Sequence, residues 1–406
     1  MKKTVCELFA GVGGFRLGLS KTNIDWDFVW ANQWEPGKKT QHAFDCYVNH
    51  FGKNENHVNE DISIIDKKKI PNHNLLMGGF PCQDYSVAQS GAKGINGKKG
   101  VLWWEIRDIV EAKKPSFVLL ENVDRLLKSP AKQRGRDFGI MLRSFNDLGY
   151  SVEWRVINAA EYGCAQKRRR VFIFAYKNKT KYAKKVNNYS LENIIYENGF
   201  FAGQFEVIRG IMSGVAVASE STYPNINEYN DLVDVSENFK YEFKNAGIMR
   251  AGKFYTVKTM PVEIKPVTLG EVLEKEVSEE YYLASNLEKW KTLKGAKKIE
   301  RVSNTGHKYT YSEGTMSFPD SLEKPARTML TSESSVNRSS HVVEDKLTKR
   351  LRLITPLEAE RLNGFDDNWT NTGMPHKFRY FCMGNALVVD LVTRMGKELG
   401  EIIDSE

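Results

Sequence analysis

Short apolar segments alternate with segments of helical periodicity over the first 176 residues, and this alternation constrains the fold more than any other feature. Residues 75–77 and 117–120 are continuous apolar runs, as is typical of strands buried on both faces. Residues 102–111 and 138–148 repeat apolar side chains at helical spacing. Further strands are predicted at 5–9, 28–31, 152–157 and 171–176. This alternation predicts a layered α/β sheet.

The alternation is lost in the middle of the chain and returns near its end. From 193 to 346, prolines and clusters of Ser, Thr, Gly and Asn interrupt the pattern. Thr355-Pro356-Leu357-Glu358 then predicts a capped helix start. A last helix is predicted at 386–399, and its apolar stripe should pack back onto the N-terminal layer. The predicted units are one domain from 1–190 and 347–406, and a smaller, irregular domain from 191–346.

Composition excludes several classes of protein. Hydrophobic residues make up 41% and charged residues 27% of the 406 positions, which is ordinary for a globular protein. We expect a cytoplasmic protein without a membrane partner, because no apolar run approaches about 18 residues and no signal-peptide region precedes the first strand. Five dispersed cysteines form no CxxC pair, so no metal site is predicted. The net charge of +8 suits a polyanionic partner.

One cysteine stands at a position where chemistry is expected. Cys82 follows Gly78-Gly79-Phe80-Pro81, directly after the apolar run 75–77. Open α/β sheets bind ligands at the carboxyl ends of their strands, and Pro81 fixes the direction in which the chain leaves the strand. The alternative interpretation of an isolated cysteine is a small core residue.

A glycine-rich turn follows the first predicted strand. The segment 9–15, FAGVGGF, opens a helix, and such turns bring backbone N–H groups close to a ligand. It lacks the full GxGxxG pattern, so a plain tight turn is an equal alternative from the residues alone. Gln33 and Trp34 end the second strand, where a polar residue can meet a ribose hydroxyl and an aromatic ring can stack on a base. Asp61 is a candidate for an adenine edge or an ordinary loop aspartate.

Charged residues mark two further strand ends. Glu121 ends the apolar run 117–120, where a carboxylate is costly unless it is paired or used. Its alternative is a helix-capping role. The cluster 166–170, QKRRR, runs into a strand, and alternation places Arg168 and Arg170 on one side. Inward arginines need an acceptor, whereas a solvated surface run is the alternative.

Taken in order, these segments resemble the C5-cytosine DNA methyltransferases. The ordered motifs are FAGVGGF, GGFPCQ, ENV at 121–123, QKRRR, RLNGF at 361–365 and GNA at 384–386. The resemblance covers roughly 5–175 and 353–399. It implies a Rossmann-like S-adenosylmethionine-dependent methyltransferase sheet, with the segment 191–346 as the target recognition domain.

The resemblance also implies roles for single residues. Cys82 would be the nucleophile and Glu121 the acid that binds cytosine, with Arg168 and Arg170 near the catalytic pocket. S-adenosylmethionine would contact Phe9, Gly11, Gly13, Gln33, Trp34, Asp61, Ile62, Pro81, Leu102, Asn385 and Ala386. One position departs from the family, which usually has glutamate where this chain has Gln33. We expect cofactor binding to survive, with Glu35 as a substitute.

The implied partner is double-stranded DNA with a flipped cytosine. The segment 84–100 contains four glycines and three lysines, which predicts a loop that closes over the site or an ordinary surface loop. Candidate DNA contacts are Ser86, Lys93 and Lys98 there, and Arg301, Arg327 and Arg338 in the second domain. We expect a monomer of a restriction–modification system, whose endonuclease acts on the same site without direct binding.

Three alternatives remain at this point. A tRNA cytosine-5 methyltransferase would share the chemistry, but the long middle segment favours a DNA-reading domain. A catalytically inert DNA-binding regulator would not need Cys82, Glu121 and Arg170 together. A nicotinamide oxidoreductase is suggested only by the glycine turn, whose fingerprint is incomplete.

Overall fold

The computed structural model describes residues 1–80, 102–209, 222–283, 287–302, 306–333 and 335–406. The strands are β1 Thr4–Leu8, β2 Asp27–Asn32, β3 His57–Val58, β4 Leu75–Gly79, β5 Phe117–Val123, β6 Tyr150–Asn158, β7 Arg169–Lys177, β8 Val207–Ile208, β9 Ala246–Arg250, β10 Lys253–Val257, β11 Met260–Pro261, β12 Lys297–Val302, β13 Lys308–Glu313, β14 Val342–Glu344 and β15 Leu351–Leu353. The helices are α1 Gly14–Ser20, α2 His42–Phe51, α3 Leu102–Lys113, α4 Arg136–Asp147, α5 Lys181–Val186, α6 Leu191–Asn193, α7 Leu232–Asn238, α8 Leu269–Val272, α9 Leu287–Lys294, α10 Pro356–Leu362, α11 His376–Asn385 and α12 Val389–Ser405.

A nine-stranded sheet in the order β10-β9-β6-β7-β5-β4-β1-β2-β3 forms the centre of the molecule. The strands β1 to β5 pair in parallel, and β7 runs antiparallel between β5 and β6. The predicted α/β class is confirmed, because the parallel strands are joined through helices as the alternation of the sequence indicated.

Register brings the carboxyl ends of three strands together. Leu8 of β1 pairs with Gly78 of β4, and Gly79 pairs with Glu121 of β5. Because β7 is antiparallel, its first residues lie at the same edge, with Arg170 opposite Val123. This edge collects the motifs that the sequence singled out, and we call it the motif edge.

The C-terminal helix packs against the first helix, as the apolar stripe predicted. Cβ atoms added at Gly18 of α1 and Gly396 of α12 would lie 2.6 Å from Val392 and Leu19 respectively, so the two helices approach closely. The helix begins at Val389 and continues to Ser405 rather than spanning 386–399. The preceding residues to Asn385 form the separate helix α11.

The predicted recognition segment 191–346 contributes elements to two parts of the structure. Its first part contributes β9 and β10, which extend the central sheet beyond β6. Its second part, from α8 to β14, contains short elements such as the β12–β13 hairpin. No periodic pattern in the sequence predicts β9, because its five residues are flanked by irregular segments on both sides. The boundary at 191 therefore stays a functional prediction rather than a division of the sheet.

Among the described residues, no helix has both the length and the apolar character needed to cross a membrane.

Candidate active site

A cavity of about 510 Å³ opens at the motif edge. Its walls come from the turn after β1, the ends of β2, β4 and β5, the start of β7, and residues 381–387. Predicted site residues that line it are Phe9, Gly11, Gln33, Glu121, Arg170, Asn385 and Ala386. Segments separated by more than 370 residues thus share one cavity.

The turn after β1 exposes its backbone to this cavity. Phe9 and Gly11 both have positive φ, at 52° and 57°, a conformation that L side chains rarely adopt. The turn is held from the neighbouring strand, because Ala10 donates its N–H to the carbonyl of Asn32 at 3.0 Å. Gly13 caps α1 just behind the cavity wall. The positive φ values and this hydrogen bond therefore fix the turn against the end of β2.

Gln33 is already committed to the glycine turn. Its Oε1 accepts the N–H of Gly11 at 2.7 Å, and the side chain is almost fully buried. Two residues later, Glu35 lines the same cavity, and its Oε2 is buried without a hydrogen-bond partner among the described residues. Burial raises the pKa of Glu35. A hydrogen bond from the backbone of Ala43 to this carboxyl opposes the shift. A buried acceptor oxygen without a donor is costly unless a ligand satisfies it, so Glu35 is a candidate ligand contact.

Four predicted cofactor residues lie away from the cavity wall. Trp34 is partly exposed, and Ile62 packs in the core. Asp61 uses Oδ1 to accept the N–H of Ser63 at 2.9 Å. Leu102 begins α3. The structure does not bring these four residues into the wall formed by the glycine turn, and their cofactor role stays a prediction.

A buried ion pair occupies the other end of the cavity. Arg170 Nε lies 2.8 Å from Glu121 Oε1, and both side chains are mostly buried. Burial raises the pKa of Glu121, while the nearby Arg170 and Arg168 oppose this shift. Burial and the two arginines thus act on the pKa of this carboxyl in opposite directions, as is common for charged groups at functional sites.

Arg168 does not line the cavity but fixes its wall. It is 1% exposed, and it donates to the carbonyls of Met329 at 3.2 Å and Gly384 at 2.9 Å. Burial lowers the pKa of its guanidinium to about 9. Gln166 makes a similar bridge, donating to Asn363 Oδ1 and accepting from the N–H of Met329. The predicted cluster QKRRR therefore ties the start of β7 to segments far along the chain.

Cys82, Pro81, Ser86, Lys93 and Lys98 lie outside the described residues. The chain leading to them is anchored at the motif edge, because Phe80 accepts a hydrogen bond from Asn122 Nδ2 at 2.9 Å and donates its own N–H to the carbonyl of Glu121.

The four cysteines that the structure describes, Cys6, Cys46, Cys164 and Cys382, are buried. Burial raises the pKa of each thiol, to about 12 for Cys46 and Cys164. None of these four is suited to form a thiolate near neutral pH.

The three arginines predicted to read DNA differ in their surroundings. Arg327 binds both carboxylate oxygens of Asp320, at 2.7 and 3.1 Å, and Arg338 donates to the carbonyls of Leu293, Gly295 and Gly314. These two guanidinium groups are occupied by partners within residues 293–320. We therefore do not propose them as base-reading residues. Arg301 lies exposed on the β12–β13 hairpin, 4.1 Å from the ring of Tyr311, and stays a candidate.

Several wall residues carried no local pattern in the sequence. Ala43 on α2 and Phe381 on α11 line the cavity, although neither belongs to a motif near the glycine turn or Glu121. They reach the cavity only because their helices pack at the motif edge. A periodicity of apolar residues could identify the helices, but nothing local indicates which residue faces the ligand.

Comparison with known proteins agrees with this geometry. The family model described as C-5 cytosine-specific DNA methylase matches residues 3–401. The Type II methyltransferase M.Sau3AI of Staphylococcus aureus is 54% identical over 416 aligned residues, which cover 100% of this chain and 97% of that protein. M.HhaI of Haemophilus parahaemolyticus is 34% identical over 172 residues, covering 42% of this chain and 48% of that protein.

Solved structures share the fold. The Dnmt2 methyltransferase of S. pombe superimposes with a TM-score of 0.58 at 15% identity, covering 100% of this chain and 99% of that one. A Spodoptera frugiperda DNMT2 mutant gives 0.60 at 13% identity, covering 99% and 100%. At such identities these likenesses speak for the fold alone, and they confirm the predicted methyltransferase sheet. The family model and the full-length relative carry the assignment further: the chain belongs to the C-5 cytosine-specific DNA methylase family.

Proposed function

We propose that this protein is a DNA (cytosine-5-)-methyltransferase that modifies a cytosine within a specific duplex sequence. The observation that carries the proposal is the single cavity that joins the glycine turn to the Glu121–Arg170 pair, in a chain related over its whole length to a Type II methyltransferase. One end of such a cavity suits a nucleoside cofactor and the other a polar base.

The cofactor end fits S-adenosylmethionine. Phe9 and Gly11 line this end of the cavity, and the unpartnered Oε2 of Glu35 offers an acceptor for a ribose hydroxyl. Asn385 and Ala386 close the wall from the C-terminal segment. When bound, S-adenosylmethionine supplies an electrophilic methyl group. Gly13, Trp34, Asp61, Ile62, Pro81 and Leu102 remain proposed contacts on the ground of the family resemblance.

At the base end, Cys82 acts as nucleophile. A thiolate that adds to C6 of cytosine converts the ring to an enamine, which makes C5 reactive toward an electrophile. Glu121 holds N3 and the exocyclic amine and shares a proton with the ring as negative charge develops. Arg170 holds the carbonyl oxygen O2. Arg168 positions this wall through its bonds to Met329 and Gly384.

The target cytosine must leave the duplex to reach this cavity, because a stacked base cannot enter it. Ser86, Lys93 and Lys98 remain proposed DNA contacts on the ground of the sequence, and Arg301 is an exposed candidate on the β12–β13 hairpin. The match to the Staphylococcus aureus relative spans the whole chain, which supports the same target sequence for both enzymes. The protein acts as a cytoplasmic monomer that protects DNA from an endonuclease of the same specificity without binding it.

Expression in a methylation-free host followed by bisulfite sequencing tests the proposal. We expect full modification of one short sequence, identical to that modified by the relative expressed in parallel. A duplex with 5-fluorocytosine in that sequence should become covalently trapped on the protein in the presence of S-adenosylmethionine, and Cys82→Ser should abolish trapping and methyl transfer while cofactor binding persists. Unmodified DNA with modified tRNA would favour the tRNA enzyme, and no transfer to either would favour an inert regulator.

A further inference from the structure

A second cavity, of about 350 Å³, opens beside the first at the motif edge. The two cavities meet at the end of β5 and the start of β7. Val123 and Arg170 line the first, whereas their chain neighbours Asp124 and Arg169 line the second. Residues adjacent in the chain thus line both cavities, which places the second cavity beside the Glu121–Arg170 pair.

Positive charge predominates around the second cavity. Six cationic side chains line it against three carboxylates. The cations are Lys128, Arg134, Arg155, Arg169, Lys244 and Lys258, and the carboxylates are Asp124, Glu161 and Glu242. A cleft lined mainly by one sign of charge concentrates ions of the other sign.

The carboxylates do not neutralise this excess. Asp124 lies 3.2 Å from Arg169, and Glu242 lies 3.2 Å from Lys244 and 3.8 Å from Arg134. The exposed ammonium groups of Lys128 and Lys258 make no hydrogen bond or ion pair with any residue that the structure describes, so both are available to a ligand.

A buried arginine, Arg155, adds positive charge to the wall of the second cavity. Arg155 is 2% exposed, and its terminal nitrogens donate to the carbonyls of Phe205 at 3.1 Å and Ile195 at 2.6 Å. Its Nε has no partner, and no carboxylate of the described chain lies within ion-pair distance. Glu153, two residues earlier on β6, acts on this guanidinium from beyond ion-pair distance, and the arginine adds to the positive charge that lines the adjoining cavity.

Hydrogen bonds within the protein hold the wall of the second cavity in place. Asn245 and Thr259 exchange two hydrogen bonds, at 2.9 and 2.8 Å. The N–H of Val156 donates to the carbonyl of Asn245 at 2.7 Å, which ties this pair to β6. Both loops that carry the cavity's lysines on this side are therefore fixed.

We propose that the second cavity binds a phosphodiester group of the DNA backbone next to the flipped cytosine. The inference rests on the proposed function, since it places DNA at the motif edge. Lys128 and Lys258 provide the contacts at the mouth, and Arg155 supplies positive charge from below. Such contacts fix the position of the duplex and carry no sequence information.

The double variant Lys128→Gln/Lys258→Gln tests this proposal. Affinity for a cognate and a non-cognate duplex is measured by fluorescence anisotropy between 50 and 300 mM salt. Each phosphate contact contributes roughly 0.9 to the slope of log affinity against log salt, so we expect the slope to fall by about 1.8. Both duplexes should weaken by the same factor, and S-adenosylmethionine affinity should not change.

Lys179→Gln is the matched control. This exposed lysine follows the far end of β7 at Lys177, which is roughly 26 Å from Arg169 along the strand at 3.3 Å per residue, and its substitution should leave the slope unchanged. A Lys128→Arg/Lys258→Arg variant should also retain it, because the charges are kept.

An unchanged slope in the glutamine variant would overturn the proposal. The same holds if inorganic phosphate binds the wild type, fails to bind the variant, and DNA affinity is unaffected, because the cavity would then serve a free anion. A wild type that neither binds nor methylates cytosine-containing duplexes would instead contradict the proposed function, so the two failures are distinguishable.

Discussion

Two polar side chains that follow β2 differ in their contacts at the cavity. Gln33 holds the glycine turn through Gly11, whereas Glu35 presents an unpartnered oxygen to the same cavity. The departure from the family at position 33 therefore has a physical counterpart two residues later.

Glu35→Gln should weaken S-adenosylmethionine binding about tenfold or more. A hydrogen bond to a charged acceptor contributes roughly 1.5–3 kcal/mol, and the amide keeps the shape but loses the charge. Isothermal titration at pH 8 measures the dissociation constant. Gln33→Glu is the paired variant and should change affinity little, because its carboxylate still accepts the N–H of Gly11. Wild-type affinity in Glu35→Gln would show that Glu35 does not face the cofactor.

Glu121→Gln should lower turnover by roughly 100-fold or more, the range of positioned acid–base groups. Burial raises the pKa of this carboxyl while Arg170 and Arg168 oppose the shift, and glutamine in its place cannot exchange a proton with the ring. Single-turnover methylation of a cognate duplex measures the effect, with Glu237→Gln on the surface as control. Duplex and cofactor binding should persist. Undiminished single-turnover methylation would argue against the proton role.

At the scale of elements, close approach between helix α11 and the small domain sets the geometry of the cavity wall. A Cβ added at Gly384 would lie 2.5 Å from the carbonyl carbon of Leu330. The same glycine accepts a hydrogen bond from Arg168 and precedes Asn385, which lines the cavity.

Gly384→Ala should destabilise the protein by about 1–3 kcal/mol, the usual cost of forcing extra volume into a packed contact. Helix propensity alone predicts the opposite, since alanine is favoured over glycine in a helix by about 1 kcal/mol. Urea denaturation measures the free energy of unfolding. Gly314→Ala is the control, because its added Cβ meets nothing within 4 Å. Equal stability of the two variants would show that the contact at Gly384 is loose.

The strands and helices with strong local patterns were predictable. The run 117–120 became the buried part of β5, and 138–148 became α4 nearly residue for residue. The addition of β9 and β10 to the sheet was not, because β9 pairs with β6 through contacts more than 90 residues apart and β10 joins the sheet only through β9. The same limit applies to Arg327, whose partner Asp320 is recognisable only once the small domain is folded.

At the scale of the whole molecule, the active site is assembled by closure of the chain on itself. The wall formed by Phe381, Asn385 and Ala386 reaches the glycine turn only because α12 packs on α1. The order of the motifs in the sequence identified residues that line the cavity. Packing between the two ends of the chain determined how these residues are arranged. Stability of the sheet core therefore bears directly on activity.

Titration of a buried carboxyl makes that stability depend on pH. Glu153 on β6 accepts hydrogen bonds from Tyr182 Oη and the N–H of Phe200, both at 2.8 Å, yet burial raises its pKa from 4.5 to about 7. Between these values the unfolded chain is ionised while the folded chain keeps the proton. The folded state thus binds more protons, and this group's contribution to stability falls as pH rises.

Glu153→Gln should remove this part of the pH dependence. As the pH rises from 5 to 8, wild type should lose up to about 3 kcal/mol of unfolding free energy that the variant retains, since each pKa unit corresponds to about 1.36 kcal/mol. The glutamine amide turns either its oxygen or its NH2 group toward the N–H of Phe200, and the second arrangement costs stability. That cost does not depend on pH, so the slope of stability against pH remains the readout. Urea denaturation at several pH values measures it, with Glu237→Gln as the surface control. Parallel curves for wild type and Glu153→Gln would show that this carboxyl is ionised inside the folded protein throughout the range, and that the hydrogen bonds from Tyr182 and Phe200 outweigh its burial.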